Sequence, residues 1–286
     1  MAPPNLTRVD AERRAALLDV SSYTVELDLT DGAGRPGETT FAGTTTVHFA
    51  CREPGADSWI DFIGAGVSSA TLNGTALDVS GYREDDGIAL PGLAVENELT
   101  VVATGCYMNT GEGLHRFVDP VDGAVYLYTQ FETADCKRMF PCFDQPDLKA
   151  RYTLTVTAPA DWKVVSNATA QVEQAGAATV HRFQPTEVLS TYLVALVAGP
   201  YAEWRDEHVD DTGQIPLGIY CRASLAEHMD AEPEQLHAVF TIEPPCRIIV
   251  VPGGDLGNQA YLMRPGACPA VAPRHDQSPP MFYDSV

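Results

Sequence analysis

The chain has 286 residues, 45% of them hydrophobic, enough to bury one large core or two modest ones. Its 39 acidic residues against 18 basic ones leave a formal charge of −21. Such a surface repels phosphate backbones and anionic lipids, and no Lys/Arg cluster interrupts it, so nucleic acid and membranes are poor partners; the charge fits either a substrate bearing positive charge or plain solubility.

The first residues, Met1-Ala2-Pro3-Pro4-Asn5, are polar and lack the apolar stretch of a secretion signal. No run of 18 apolar residues follows, so no membrane-spanning helix is expected. Arg8 to Asp19 reads as a short helix, with Val9, Ala16 and Leu17 near one stripe. Then Tyr23, Val25, Leu27 and Leu29 alternate with Thr24, Glu26, Asp28 and Thr30, a strand with one buried face. Further strands are expected near 43–50, 58–63, 68–72, 98–104, 124–132, 151–157, 162–166, 178–184, 189–198 and 215–221. Turn signals separate most of them, among them Asn73-Gly74, Asp85-Asp86-Gly87, Pro91-Gly92 and Asp122-Gly123. Many short strands so punctuated indicate an all-β sandwich or open barrel, and the lack of helices between them argues against a parallel α/β sheet.

Residues 223–239 could form a helix broken at Pro233. Beyond it prolines become dense, and residues 234–286 hold only 5 acidic and 3 basic residues. Only Arg247 to Val251 looks strand-like, and an irregular tail without its own core is expected. Seven cysteines without a CxxC pair fit reduced thiols in the cytoplasm. The N-x-Thr triplets at Asn5, Asn73 and Asn167 are then chance matches.

The most informative stretch is Tyr126-Leu-Tyr-Thr-Gln-Phe-Glu132. Alternation along a strand over 124–132 places Gln130 and Glu132 on one face, in line with Tyr128, while Thr129 and Phe131 point the other way. A carboxylate beside a carboxamide can receive an ammonium group: Glu132 brings charge and acceptors, Gln130 a carbonyl oxygen. A polar strand face exposed to water is the other reading of the same residues.

Blocks around that stretch carry a resemblance. Gly111-Glu-Gly-Leu-His-Arg-Phe-Val-Asp-Pro120, Val125 to Glu132 and Phe143-Asp-Gln-Pro-Asp147, with Ser21 to Asp28, Trp162 to Asn167 and Ser190 to Ala195, resemble the N-terminal domain of M1-family zinc aminopeptidases, most closely the actinobacterial members. The resemblance begins near Asn5 and extends to about residue 231. It implies a saddle-shaped, mainly antiparallel β-sandwich over 1–231, with a short N-terminal helix, and leaves 232–286 as a Pro-rich tail outside the family pattern. It also implies that Glu132 holds the free α-amine of a peptide N-terminus and that Gln130 lines the same pocket. The family's epoxide-hydrolase branch tends to differ at the second position of the Gln-x-Glu pair, so Glu132 points to aminopeptidase ancestry.

The family's zinc-dependent chemistry needs two histidines at i and i+4 of a helix with a glutamate between them. None of the seven histidines here precedes a glutamate, and the family's G-x-M-E-N segment is not found. No catalytic residue, metal ligand or resident cofactor is therefore assigned to this chain, zinc being the cofactor of the full-length family. A monomer, inactive alone, is expected, with a separate catalytic domain as its candidate partner. The change of character near Ala231 suggests a reading-frame change or rearrangement, which the other two frames of the coding DNA past codon 231 would reveal. The alternative function is a non-catalytic β-sandwich binding peptides or another protein.

Other candidates read as structural. His115 packs its loop or shapes a substrate cleft; Asp144 and Asp147 serve a turn around Gln145-Pro146. Lys137 and Arg138 are solvated or paired with nearby acids, and Phe140 and Phe143 pack beneath the turn. Cys136 and Cys142 have no neighbouring histidine to complete a metal site.

Overall fold

The computed structural model describes residues 6–210 and 213–228, with the backbone of 247–251 and 259–263. Helix α1 (Arg8–Leu17) is capped by Thr7, whose hydroxyl accepts from the Asp10 N–H, and runs straight into β1 (Leu18–Asp28). Then follow β2 (Thr40–Cys51), β3 (Ser58–Ile60), β4 (Gly66–Leu72), β5 (Thr75–Ala76), β6 (Ile88–Leu90), β7 (Glu96–Cys106), β8 (Gly113–Val118) and β9 (Val125–Gln130). The second half adds β10 (Arg151–Pro159), β11 (Lys163–Ser166), β12 (Ala170–Ala175), β13 (Ala178–Phe183), β14 (Leu196–Gly199), β15 (Ala202–Asp210) and β16 (Gly213–Cys221). Residues Arg247–Val251 (β17) and Gln259–Met263 (β18) pair antiparallel.

The all-β expectation holds. An eight-stranded sheet runs β12-β13-β10-β1-β2-β7-β4-β5, and a four-stranded sheet runs β11-β14-β9-β8. Among the described residues the strands of these two sheets pair antiparallel except β1 and β10, which lie side by side in parallel. One core joins the two sheets: Tyr23, Val25 and Leu27 of β1 and Val47 and Phe49 of β2 cluster with Leu114 of β8, Leu127 of β9 and Leu196 of β14.

The first strand shows how sequence sets this arrangement. Leu18 and Val20 are buried at even positions, Tyr23, Val25 and Leu27 at odd ones. An irregularity between Val20 and Ser22 in the pairing with β2 absorbs the change of phase, so both apolar sets reach the core.

Three expectations need correction. Of the expected stripe, Leu17 is buried as expected, but Val9 is 72% exposed and Ala16 is exposed; Arg14 is buried in their place. Residues 189–198 are not one strand: a 3-10 turn at Thr191–Leu193 precedes β14, and the Thr191 hydroxyl donates to Asp144 Oδ1 at 2.8 Å, which ties that turn to the core. At 223–239 a 3-10 turn, Ala223–His228, opens the segment; the rest of that expected helix lies outside the described residues. So does most of the expected tail, β17 and β18 excepted.

Phe143, Asp144 and Gln145 form a buried hub that leads into the expected turn, at Pro146 and Asp147, both exposed. Phe143, Asp144 and Gln145 are all 2% exposed or less. The Phe143 N–H donates to the Tyr23 hydroxyl (3.1 Å), and the Asp144 N–H to Asp61 Oδ2 (3.0 Å). Asp144 accepts from the Lys137 N–H (3.1 Å) and from Thr191. Only Asp147 keeps the expected local role, accepting from the Gln145 amide at 2.8 Å.

Burial dominates the acidity of Asp144. Despite the two hydrogen bonds it accepts, desolvation raises its pKa to about 6, because a low-dielectric site disfavours the charged form. The folded state therefore holds this proton more tightly than the unfolded chain, whose aspartates titrate near about 3.9. The resulting contribution to stability is present in full below about pH 4 and is lost as pH rises through about 6. Carbon-detected NMR of the Asp144 carboxyl should show a midpoint near 6; a midpoint near 4 would refute the desolvation account.

Candidate functional site

Strand β9 is built so that one side is core and the other is not. Leu127, Thr129 and Phe131 are buried towards the main cluster, and the Thr129 hydroxyl accepts from the Leu196 N–H at 2.9 Å. Tyr128 and Gln130 are half-buried and Glu132 is exposed. The sheet ladder ends at Gln130, paired with Gly113, and Glu132 opens the turn at 132–135. The expected strand over 124–132 is thus shorter, but burial keeps the two-residue alternation as far as Glu132. The peptide joining Glu132 to Thr133 is cis.

Across β9, strand β8 supplies the opposite half of the same face through the pairs Gly113–Gln130, His115–Tyr128 and Phe117–Tyr126. His115 and Tyr128 stack with ring centroids 4.7 Å apart and planes 27° apart. His115 Nδ1 accepts from the Gly111 N–H at 3.0 Å, which leaves the proton of the neutral ring on Nε2. Burial lowers the pKa of this histidine, so the neutral form is the one present at neutral pH. Its loop-packing role is therefore observed, and the loop it packs borders Gln130.

Beyond the pair, Tyr126, Val197 and Tyr201 form a second small apolar cluster, with Phe117, Tyr128, Val165 and Tyr220 packed against it. The chain after β16 closes over it. The Ala223 N–H donates to the Tyr126 hydroxyl at 2.9 Å, and Arg222 stacks over Phe117 at 4.8 Å. Asp119, fully buried, accepts from Ser224 (2.6 Å) and Arg222 (3.0 Å). The Ser224 hydrogen bond leads the causes that hold its carboxyl below the usual range.

Two loops frame Gln130 and Glu132, and Arg138 ties them together. Its Nε donates to Asp135 Oδ1 at 2.7 Å and its Nη2 lies 3.2 Å from Glu112 Oε2. Gly113 sits beneath it with φ +62°, and a Cβ there would lie 2.8 Å from the Arg138 Cβ. Both the left-handed backbone and the close approach call for glycine. Of the two sequence readings of Arg138, pairing with nearby acids holds and solvation does not; the spacing Asp135-x-x-Arg138 signals one partner, and nothing local announces Glu112.

Chemically, the arrangement offers one carboxylate and one carboxamide beside an aromatic pair, on a surface of net negative charge. It can receive a cation with hydrogen-bond donors. Among the described residues there is no group of three or more His, Cys, Asp and Glu able to hold a metal ion, and Cys136 and Cys142 are both buried free thiols. No helix among the described residues is long and apolar enough to cross a membrane. An open groove of about 670 Å³ lies elsewhere, at the connection between β1 and β2, lined by residues such as Asp31, Arg35 and Glu38.

Comparison with known proteins agrees with this architecture. Residues 20–193 match the Peptidase M1 N-terminal domain. The chain is 50% identical over 233 residues to an aminopeptidase N of Streptomyces lividans, which covers 81% of this chain and 26% of that protein. It is 31% identical over 217 residues to an aminopeptidase N of Acetobacter pasteurianus, covering 71% of this chain and 58% of the relative. An aminopeptidase M1 of Arabidopsis thaliana is 36% identical over 100 residues, 35% of this chain and 11% of the relative. The chain thus spans about a quarter of the length of its Streptomyces relative. The extent of these matches, together with the two packed β-sheets, shows that the chain belongs to the M1 peptidase family and carries its N-terminal domain.

Proposed function

We propose that this chain anchors the free α-amine of a peptide, with Glu132 contacting the ammonium group and Gln130 lining the same pocket, for removal of the N-terminal amino acid by an aminopeptidase. The supporting observation is the alternation along β9. It buries Thr129 and Phe131 and leaves Gln130 and Glu132 accessible, next to loops held by Arg138. The relatives' names, aminopeptidase N in two bacteria, fit the same reading. Zinc belongs to the full-length family, and the described residues offer it no ligand cluster, so the hydrolytic step falls to a catalytic part outside them. In this reading the chain acts in the cytoplasm, takes peptide N-termini as ligands, and by itself is a monomer without peptidase activity. Chelator-sensitive cleavage of an alanine anilide by the purified chain would overturn that last point.

The anchoring role has a direct test. In this chain Glu132 is exposed, so its contact with an ammonium is screened and worth about 1 kcal/mol, roughly fivefold in affinity. Glu132→Gln should weaken binding of alaninamide about fivefold in an NMR titration while leaving the melting temperature unchanged. Equal affinity in the two proteins would refute the reading.

A further inference from the structure

Glu132 sits in a turn that is held at both ends. Before it, Phe131 is buried in the core. After it, the Asp135 N–H donates to the Phe131 carbonyl at 3.0 Å, and the Asp135 carboxylate accepts from Arg138 Nε at 2.7 Å. Arg138 is itself well fixed. It ends the 3-10 turn Cys136–Arg138, in which Cys136 is fully buried and the Lys137 carbonyl accepts from the Ile63 N–H at 2.9 Å. From there the side chain crosses to the other loop. Its stem lies over Gly113, the cross-strand partner of Gln130, and its Nη2 lies 3.2 Å from Glu112 Oε2. One guanidinium thus bridges the turn of Glu132 and the rung of Gln130.

We propose that Arg138 is a positioning residue for the amine anchor: it fixes the turn that carries Glu132 against the loop beside Gln130 and does not itself meet the ligand. The inference rests on the anchoring role of Gln130 and Glu132. The planar fork suits the task, since a guanidinium holds two carboxylates at once in set directions and a flexible ammonium does not. A turn so fixed has little freedom left to lose when an ammonium group arrives, which favours binding. Charge alone argues the opposite way. A cation near the anchor repels the ligand's ammonium, so a purely electrostatic Arg138 would weaken binding. The two effects have opposite signs, and removing the guanidinium separates them.

The test is an NMR titration of the full chain with alaninamide, comparing the parent with Arg138→Met, Arg138→Lys and Glu132→Gln. Methionine keeps an apolar stem over Gly113 and drops both ion pairs. The Arg138 side chain is 24% exposed, so its pairs are screened and the melting temperature should barely move. Arg138→Met should bind alaninamide about threefold to tenfold more weakly, although the site has lost a positive charge. Its Glu132 amide should become mobile, with an order parameter below about 0.6, while the Leu127 amide stays rigid. Arg138→Lys keeps the charge but cannot bridge both carboxylates, so its affinity should fall between those of the parent and Arg138→Met. Binding as tight as the parent's, or tighter, in either variant would overturn the positioning role, as would a Glu132 amide that stays rigid in Arg138→Met. If Glu132→Gln binds alaninamide as the parent does, the anchor itself fails. If it binds about fivefold more weakly while Arg138→Met binds as the parent does, the anchor stands and only the positioning role falls.

Discussion

Replacing Arg14 with alanine should lower the stability of this domain by about 3–5 kcal/mol, the cost of removing one partner of a buried ion pair. Arg14 is 1% exposed. Its Nη1 donates to Asp61 Oδ2 and its Nε to Gln145 Oε1, both at 2.7 Å. Nη2 has no hydrogen-bond partner, but the guanidinium lies 5.0 Å from the Trp59 ring centroid and 5.8 Å from that of Phe143, where ring faces attract the cation. Asp61 is held in turn by the Trp59 indole (2.9 Å) and the Asp144 N–H. Removing Arg14 leaves Asp61 short of its counter-charge and opens a cavity between α1 and the hub. Chemical denaturation measures the loss. A change below about 1 kcal/mol, the range of ordinary surface substitutions, would show that water replaces the guanidinium without penalty.

Phe143→Ala should cost a similar amount, about 3–5 kcal/mol, by cavity formation. The ring is fully buried and meets Phe49 edge-on at 5.1 Å, linking the hub to β2. Its backbone N–H is spoken for by Tyr23, whose ring stacks on Tyr152 at 4.9 Å. The alanine variant keeps the N–H but loses the wedge between α1 and the large sheet. Phe143→Leu should recover more than half of the loss, since volume-conserving exchanges cost less; no difference between Leu and Ala would mean that the site collapses around either.

These two predictions concern the part of the structure that sequence reading resolved least. The strands were legible where one face is core: Tyr23, Val25 and Leu27 announce β1, and Leu99 and Val101 announce β7. Ala170–Ala175 was missed because this edge strand is exposed along nearly its whole length and so carries no apolar alternation. The hub was misread because its contacts are remote. Arg14 and Gln145 are 131 positions apart, and Asp61 and Asp144 are 83 apart, so spacing gives no hint of them. Nothing in an i, i+3 or i, i+4 pattern tells that an arginine rather than Val9 turns inward. The shared face of Gln130 and Glu132 was easier for the opposite reason: they lie two apart in one segment, and a period of two is the signal that a strand transmits best; their role came only from the family resemblance. What that period could not give is the frame around them, in which Glu112, Asp135 and Arg138 join two loops.

The central claim is that a charged peptide head is received between Gln130 and Glu132. Chemical-shift mapping with alaninamide and with its N-acetylated counterpart tests it most directly. The free amine should move the amide signals of Gly113, Gln130 and Glu132, and the acetylated compound should leave them in place. Equal responses to both compounds, or shifts confined to the groove beside Asp31 and Arg35, would contradict it.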